Sequence, residues 1–244
     1  MKELNVKEFY QKQFELSNYD INTESWLEQV AKEVQEQVGH PFQTMLELGA
    51  GNGRFARAMS RLQVKMTTVE LVPELVMFAK EHSTNNIDIH CADFYKINFE
   101  EKFDVVSYLD GFGVGTDDEQ LILLKRIKNW MKDDGCALID IYQPLYWKKV
   151  SGQEMPLSAA MRKYEYDSIN ERMLDHWWDP NYPNDVVTQC YTVDEISNLC
   201  AEAGLSIMGF FPGGAYDFEK RKYKELATLN ECLAYRIKVR KSRD

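Results

Sequence analysis

The chain has 244 residues, 44% of them hydrophobic, which is enough for one well-buried domain with an insertion. Its net charge of −10 argues against a large nucleic-acid surface, because such surfaces draw much of their affinity from Lys and Arg that face phosphates. The five cysteines are odd in number, widely spread and without C-x-x-C spacing, so neither a disulfide framework nor a metal site is predicted.

The first part of the chain is predicted to be helical, and strands alternate with helices after it. Apolar residues recur near the helical period over residues 1–40, and Gly39-His40-Pro41 ends that run. The predicted strands are Thr44–Leu48, Met66–Glu70, Ile87–Cys91, Phe103–Leu109 and Cys136–Tyr142, and the predicted helices between them are Phe55–Leu62, Pro73–His82 and residues 117–131. This alternation is typical of a parallel sheet with helices on both faces.

The alternation stops at Pro144. The aromatic-rich segment that follows contains three predicted strands: Lys163–Ile169, Arg172–Trp178 and Val186–Tyr191. Since a hairpin cannot lie inside a parallel sheet, we expect this segment to form a cap over the sheet edge. The pattern then resumes with a helix, a strand and a closing strand whose polar face explains the basic C-terminal residues. We therefore expect a helical cover (1–40), a core (41–143 and 191–244) and a cap (144–190).

A glycine-rich turn follows the first strand. The segment reads Met45-Leu46-Glu47-Leu48-Gly49-Ala50-Gly51-Asn52-Gly53-Arg54. Alternate glycines let the backbone turn sharply and approach a ligand, and the helix start behind them offers free N–H groups. The turn therefore predicts a nucleotide-like cofactor. A dinucleotide enzyme is disfavoured, because its third glycine would stand where the chain has Arg54 and because the Glu47 carboxylate would repel a pyrophosphate.

Acidic residues lie at or just beyond the carboxyl ends of four successive strands, namely Glu47, Glu70, Asp93 and Asp110. Ligands of open parallel sheets bind along that edge. The turn and its acids resemble motif I and the following motifs of the class I S-adenosylmethionine (SAM) methyltransferases, and the agreement runs from Tyr10 to the end of the chain. The segments 109–113, 134–142 and 191–196 are similar to the compact small-molecule group, which includes amino-sugar and glycine-type N-methyltransferases.

The resemblance implies an α/β fold: a Rossmann-like, doubly wound, mostly parallel seven-stranded sheet with its last strand antiparallel and a small antiparallel β cap after the fifth strand. It implies SAM as the cofactor, with Glu70 on the ribose hydroxyls, Asp93 on the adenine amino group and Phe94 against the adenine ring. The cofactor-binding residues that it implies are Tyr19, Glu47, Gly49, Ala50, Gly51, Gly53, Glu70, Leu71, Asp93, Phe94, Leu109 and Asp110.

The candidate catalytic residues come from the cap and from the N-terminal segment. His176 is the candidate base, because histidine titrates near neutral pH and this one lies in the cap. Tyr10 is the second candidate, since N-terminal tyrosines close the cofactor pocket in the resembling group. The predicted substrate-binding residues are Tyr142, Trp177, Trp178 and Tyr191.

Methyl transfer from a sulfonium is a direct displacement, so alignment of the reactants is the main contribution expected of the protein. The acceptor is predicted to be a nitrogen or an oxygen of a small metabolite or biosynthetic intermediate. A peptide, a tRNA base and a non-catalytic SAM-binding role are the alternatives, and no feature indicates an oligomeric state. No signal peptide is visible and no apolar run reaches the roughly 18 residues of a membrane span, so we expect a cytoplasmic protein without a membrane segment.

Overall fold

The structure is a computed structural model that describes residues 6–16, 25–156, 160–179 and 182–243. The helices in these ranges are α1 (Val6–Leu16), α2 (Ser25–Val38), α3 (Arg54–Arg61), α4 (Pro73–His82), α5 (Asp117–Trp130), α6 (Pro144–Lys149) and α7 (Val193–Glu202). The strands are β1 (Thr44–Leu48), β2 (Lys65–Glu70), β3 (Ile87–Cys91), β4 (Phe103–Tyr108), β5 (Met131–Tyr142), β6 (Glu154–Pro156), β7 (Met161–Asp167), β8 (Arg172–Asp179), β9 (Tyr182–Gln189), β10 (Leu205–Pro212), β11 (Ala215–Asp217), β12 (Lys222–Lys224) and β13 (Ala234–Lys241). None of the helices in the described ranges combines the length and the apolarity needed to cross a bilayer.

The central sheet has seven strands in the order β10-β13-β5-β4-β1-β2-β3. Strands β1 to β5 run parallel to one another, and β13 is antiparallel to both β5 and β10. The predicted fold class is confirmed. The chain leaves β1 toward β2 and β3 on one side and returns to β4 and β5 on the other. The carboxyl ends of β1 and β4 therefore form the switch point where ligands of such sheets bind.

Both faces of the sheet are covered, so the central strands β1 and β4 are buried at nearly every position. Successive side chains of a strand point to opposite faces, so Met45 and Leu46 of β1 belong to different parts of the core. Met45 packs with residues of α2 and α3, whereas Leu46 packs with residues of α5 and α7. Both are fully buried. This double burial makes β1 a rigid support for the glycine turn.

A second, antiparallel sheet follows the fifth strand, with the order β6-β7-β8-β9. It contains the three strands that the sequence predicted, and it lies beside α6 and α1. Two elements of this segment, the helix α6 and the strand β6, were not predicted. Pro144 begins the helix α6, since proline suits the first position of a helix, and the short β6 pairs with β7.

Two other parts of the chain differ from the prediction. The extended segment of β5 begins at Met131 instead of Cys136, because Met131 already pairs with Phe103 before a shift in register brings Cys136 opposite Val105. The stretch between β10 and β13, for which the sequence predicted no helix or strand, contains the small hairpin of β11 and β12.

The basic C-terminal residues are explained by the last strand. Tyr235, Ile237 and Val239 are buried on alternate positions of β13. Between them, the Arg236 guanidinium donates to both carboxylate oxygens of Asp140 at 2.6 and 3.1 Å. These basic residues therefore serve the packing of the sheet, as the sequence pattern indicated.

The loop that leaves β4 is held against β9 by a close backbone approach at Gly113. The Gln189 N–H donates to the Gly113 carbonyl at 2.8 Å, and the Gly113 N–H donates to Gln120 Oε1 at 3.1 Å. Gly113 has a φ of 112°, and a Cβ built on it would lie 2.3 Å from the Gln189 carbonyl oxygen. Only glycine fits this position without displacing the loop.

We expect Gly113→Ala to lower the free energy of unfolding by about 1–3 kcal/mol or more, because it adds a backbone clash to an unfavourable φ. Gly152→Ala is the matched control: Gly152 also has a positive φ, 86°, but its Cβ would meet no atom within 4 Å. Urea unfolding of the two variants measures the difference. Equal losses of stability would contradict the importance of the close approach.

Candidate active site

The glycine turn between β1 and α3 forms the floor of the site. Gly49, Gly51 and Gly53 all have positive φ, at 62°, 56° and 77°. The Ala50 N–H donates to the Val69 carbonyl at 3.2 Å, which ties the turn to β2. A Cβ added at Gly51 would meet no atom within 4 Å, so the turn borders open space at its centre. A ligand can therefore approach the backbone here.

Glu70, at the end of β2, holds the turn in position. Its Oε2 accepts from the Gly51 N–H at 2.8 Å and its Oε1 accepts from the Val72 N–H at 2.9 Å. Burial raises the pKa of this carboxyl, and the backbone hydrogen bonds oppose that rise. Each carboxylate oxygen has a further lone pair, so Glu70 can also accept from a ligand hydroxyl.

Glu47, on β1, is a buried acid with an unsatisfied oxygen. The residue is 5% exposed, and its Oε2 has no hydrogen-bond partner among the described residues. Burial and the nearby Glu70 charge raise the pKa of Glu47 to about 8, against a lowering effect of Arg57. An unsatisfied buried carboxyl beside a ligand-accessible turn suits a cationic or hydrogen-donating ligand.

Asp93 and Phe94 follow β3 on the same edge of the sheet. Asp93 shapes the turn, since its Oδ1 accepts from the Tyr95 N–H at 2.8 Å and its Oδ2 pairs with Lys96 Nζ at 3.1 Å. The Phe94 ring lies 5.4 Å from the Tyr108 ring, centroid to centroid. Cys91 is the partner of Glu70 in the parallel ladder, so these residues lie one strand away from Glu70. Leu71 and Leu109 are half-buried directly after β2 and β4.

Asp110 follows β4 in a left-handed conformation, with a φ of 57°. The Tyr142 hydroxyl donates to its Oδ1 at 2.5 Å. The Asp110 side chain remains accessible to solvent in the cleft, yet the surrounding protein is dense enough that burial raises its pKa. Burial and the Asp110 charge raise the pKa of Tyr10, on α1, well above its ordinary value. Asp110, Tyr142 and Tyr10 therefore face one another across the cleft.

The inner face of the second sheet closes the cleft with an ion pair between two aromatic rings. The Arg162 guanidinium donates to both carboxylate oxygens of Asp175 at 2.9 and 2.6 Å. Its Cζ lies 4.5 Å from the Tyr164 ring centroid and 4.9 Å from that of Trp177. Asp175 and Trp177 are buried. The charges of Arg162 and Asp175 affect the pKa of both Tyr10 and Asp110, so this pair borders the same cleft.

The predicted residues on β8 point to opposite faces of the second sheet, because side chains alternate along a strand. Trp177 shares the inner face with Asp175, whereas His176 and Trp178 occupy the alternate positions. His176 Nε2 lies 3.3 Å from Glu165 Oε2, in a pair on the face opposite that of Asp175. The structure thus brings Tyr10, Tyr142 and Trp177 to the cleft and does not bring His176 or Trp178 there. Tyr19 lies outside the described residues.

Tyr191 lines a cavity other than the cleft at the glycine turn. Its hydroxyl donates to Asp117 Oδ1 at 2.8 Å, and its ring packs against Phe112 at 5.8 Å between centroids. It lines an open cleft of about 310 Å³ between α7 and the turn after β7. That cleft is lined by carboxylates, among them Glu171 and Glu195, and it is separate from the glycine turn.

Sequence reasoning missed Arg162, Tyr164 and Asp175. Their meeting depends on the register of the hairpin, which places Arg162 opposite Trp177 and Tyr164 opposite Asp175. The alternation of aromatic and charged residues in the predicted hairpin was the available signal, because it marks two faces of different character.

The residues at the glycine turn fit the adenosyl sulfonium cofactor that the sequence resemblance implies. The open space at Gly51 admits the ligand, and the unsatisfied Glu47 oxygen suits its positive charge. In the described ranges, no group of His, Cys, Asp and Glu side chains is arranged so that it could hold a metal ion.

We expect Glu47→Gln to change how stability depends on pH. The pKa of Glu47 in the folded protein, about 8, lies above its ordinary value of 4.5. Between these values the unfolded chain releases a proton that the folded protein keeps, so the native state loses up to about 1.4 kcal/mol per pH unit as the pH rises. The glutamine variant resembles the protonated form and escapes this loss. Urea unfolding at about pH 5 and about pH 8 measures it.

The control for this experiment is Glu36→Gln, a substitution of an exposed acid on α2. It should follow the wild-type pH dependence. If Glu47→Gln lost as much stability as wild type over that pH range, Glu47 would not be the buried acid described above.

Comparison with known proteins places the chain among methyltransferases. The profile of a family described as a methyltransferase domain matches residues 23–208. A cypemycin N-terminal methyltransferase from Streptomyces sp is 27% identical over 112 residues, which are 45% of this chain and 46% of that protein, so the match spans less than half of this relative.

Solved structures are similar over a larger part of the chain. The CcbJ methyltransferase from Streptomyces caelestis superposes with a TM-score of 0.72 at 17% identity and covers 89% of this chain and 90% of its own. SAM-bound CalS10, an amino pentose methyltransferase from Micromonospora echinaspora, superposes with a TM-score of 0.62 at 13% identity. The superposition covers 95% of this chain and 96% of CalS10. At these identities the likeness is one of fold.

The family profile covers well over half of the chain, and it includes the glycine turn, the acidic strand ends and most of the second sheet. The chain therefore belongs to the methyltransferase-domain family.

Proposed function

We propose that this enzyme transfers the methyl group of SAM to the amine nitrogen of a small metabolite or biosynthetic intermediate. The observation that carries the proposal is the charge of the cleft. The carboxylates of Asp110 and Glu70 border it beside the neutral phenol of Tyr10, and the positive charge of Arg162 is already paired with Asp175. Such surroundings stabilise an ammonium group, which the nearby aromatic rings also favour.

The cofactor lies along the glycine turn in this proposal. Gly49, Ala50, Gly51 and Gly53 form its floor, Glu70 accepts from the ribose hydroxyls, and Asp93 and Phe94 hold the adenine. Glu47, Leu71, Leu109, Tyr10 and Tyr19 complete the predicted set. Bound SAM supplies an electrophilic methyl group on a sulfonium. The chain then needs to align the nucleophile and exclude water, which α1 and the second sheet do by closing over the cleft.

Asp110 accepts the proton that the ammonium substrate must lose before it reacts. Its raised pKa makes it a better base than an ordinary aspartate near neutral pH. The Tyr142 hydroxyl binds Oδ1 and thereby orients the carboxylate, while Oδ2 stands outside that bond. The pKa of Tyr10 is raised, so Tyr10 stays a neutral phenol and positions the substrate. His176 lies on the opposite face of β8, so the role of base belongs to Asp110 in this proposal.

The named relatives support nitrogen as the acceptor atom. One curated relative is called an N-terminal methyltransferase, and one similar solved structure is an amino pentose methyltransferase. The first of these names also favours a second candidate, the terminal amine of a peptide. Both candidates require the same ammonium-binding cleft, and they differ in how much of the substrate lies outside it.

Incubation with SAM and a panel of acceptors tests the proposal. We expect S-adenosylhomocysteine to form with amines, among them amino sugars and short peptides, and not with the corresponding alcohols. Mass spectrometry of both products gives the methylated atom. Product from the alcohols alone would contradict N-methylation.

We expect Asp110→Asn to lower kcat/KM for an amine roughly 10²-fold, a usual effect of losing a positioned base. The wild-type rate should rise with pH through the raised pKa of Asp110, since only the ionised carboxylate accepts a proton, and the variant should lack that rise. Steady-state rates across the pH range measure both effects. Asp133→Asn, at an exposed carboxylate, is the control. An unchanged pH profile in Asp110→Asn would remove Asp110 from the proton transfer.

A further inference from the structure

The inner face of the second sheet carries a buried hydrogen-bond donor without an acceptor. The indole Nε1 of Trp177 has no hydrogen-bond partner among the described residues, and the residue is only 6% exposed. The ring itself is well packed, because it shares a cluster with Phe9, Ala160 and Val186. Buried polar groups are paired in nearly all native proteins, so an unpaired one beside a cleft points to a ligand acceptor.

Arg162 offers a second donor at the same place. Its Nε and Nη2 are used by Asp175, and this side-on geometry leaves Nη1 on the other side of the guanidinium. Arg162 stands opposite Trp177 in the ladder of β7 and β8, and its Cζ lies 4.9 Å from the indole centroid. Both donors therefore lie on the inner face of the second sheet, at paired positions of β7 and β8, and border the same side of the cleft.

Resting on the function proposed above, we propose that Trp177 Nε1 and Arg162 Nη1 form a subsite for an uncharged oxygen acceptor of the amine substrate: a carbonyl, ether or hydroxyl oxygen. The substrate is then an amine with such an oxygen a few bonds from its nitrogen. The nitrogen lies toward Asp110 and Tyr10, and the oxygen lies toward the second sheet.

The charges around the subsite favour a neutral oxygen over a carboxylate. Arg162 is already neutralised by Asp175, whose own side chain is buried. Asp110 lies close enough for its pKa to respond to both of them. A third carboxylate would therefore meet two others without a free cation to balance it, whereas a carbonyl or hydroxyl only fills the unused donor bonds.

Nuclear magnetic resonance of the Trp177 indole tests the subsite directly. The chain has five tryptophans, so ¹⁵N-labelled protein shows five indole signals, and Trp177→Phe removes the one to be followed while keeping a ring in place. The probes are glycinamide, 2-aminoethanol, glycine and propylamine, each added to the full chain in the presence of S-adenosylhomocysteine. We expect the Trp177 signal to move downfield with glycinamide or 2-aminoethanol and to stay in place with propylamine.

Affinity gives a second measure. Trp177→Phe should weaken binding of the probe that moves the signal about 10-fold, and it should leave propylamine unchanged. Trp26→Phe, on the exposed side of α2, is the matched control and should change neither. An equal shift with propylamine, tighter binding of glycine than of glycinamide, or no shift at concentrations that saturate methyl transfer would overturn the subsite.

The two proposals fail in distinguishable ways. If no amine gives S-adenosylhomocysteine in the acceptor panel, N-methylation is wrong and the subsite falls with it. If amines are methylated while the Trp177 signal stays in place for every probe, only the subsite is wrong.

Discussion

The hydrogen bonds of one carboxylate determine the geometry of the site. Glu70 joins the glycine turn after β1 to the turn after β2, through the Gly51 and Val72 N–H groups. Both turns leave adjacent parallel strands that are buried on either side of the sheet. A buried carboxylate is stable only when such donors satisfy it. The two turns are therefore held together by the protein itself, and preorganisation of this kind favours the proposed displacement reaction.

The second sheet borders the cleft with groups of no net charge, whereas the core borders it with acidic residues. Its ion pair of Arg162 and Asp175 contributes no net charge, and the Tyr164 and Trp177 rings lie against the Arg162 guanidinium. The acids of the core therefore dominate the electrostatics. In the proposed reaction, a cationic cofactor and an ammonium substrate are both compatible with that field, and their mutual repulsion would favour transfer of the substrate's proton to Asp110.

The core was predictable because its signals are local. The strands of the parallel sheet are short apolar runs, and residues such as Pro73 and Thr116 mark helix starts by their own chemistry. Predictions were less complete where structure depends on distant partners. The strand β6 exists because β7 lies beside it, and the early start of β5 depends on a pairing with Phe103. Neither pairing has a signature in the segment itself.

The fold class, the glycine turn and the row of acids could be read from the sequence, since they follow from periodicity, glycine geometry and the ends of successive strands. The side chains of the second sheet that face the cleft could not be identified until the strands were paired. Successive residues of a strand point to opposite faces, so His176 and Trp177 lie on opposite faces of the second sheet although they are adjacent in the chain. The pairing of Arg162 with Asp175 likewise required the register of two strands, because side chains that are distant in sequence meet only when the chain has folded.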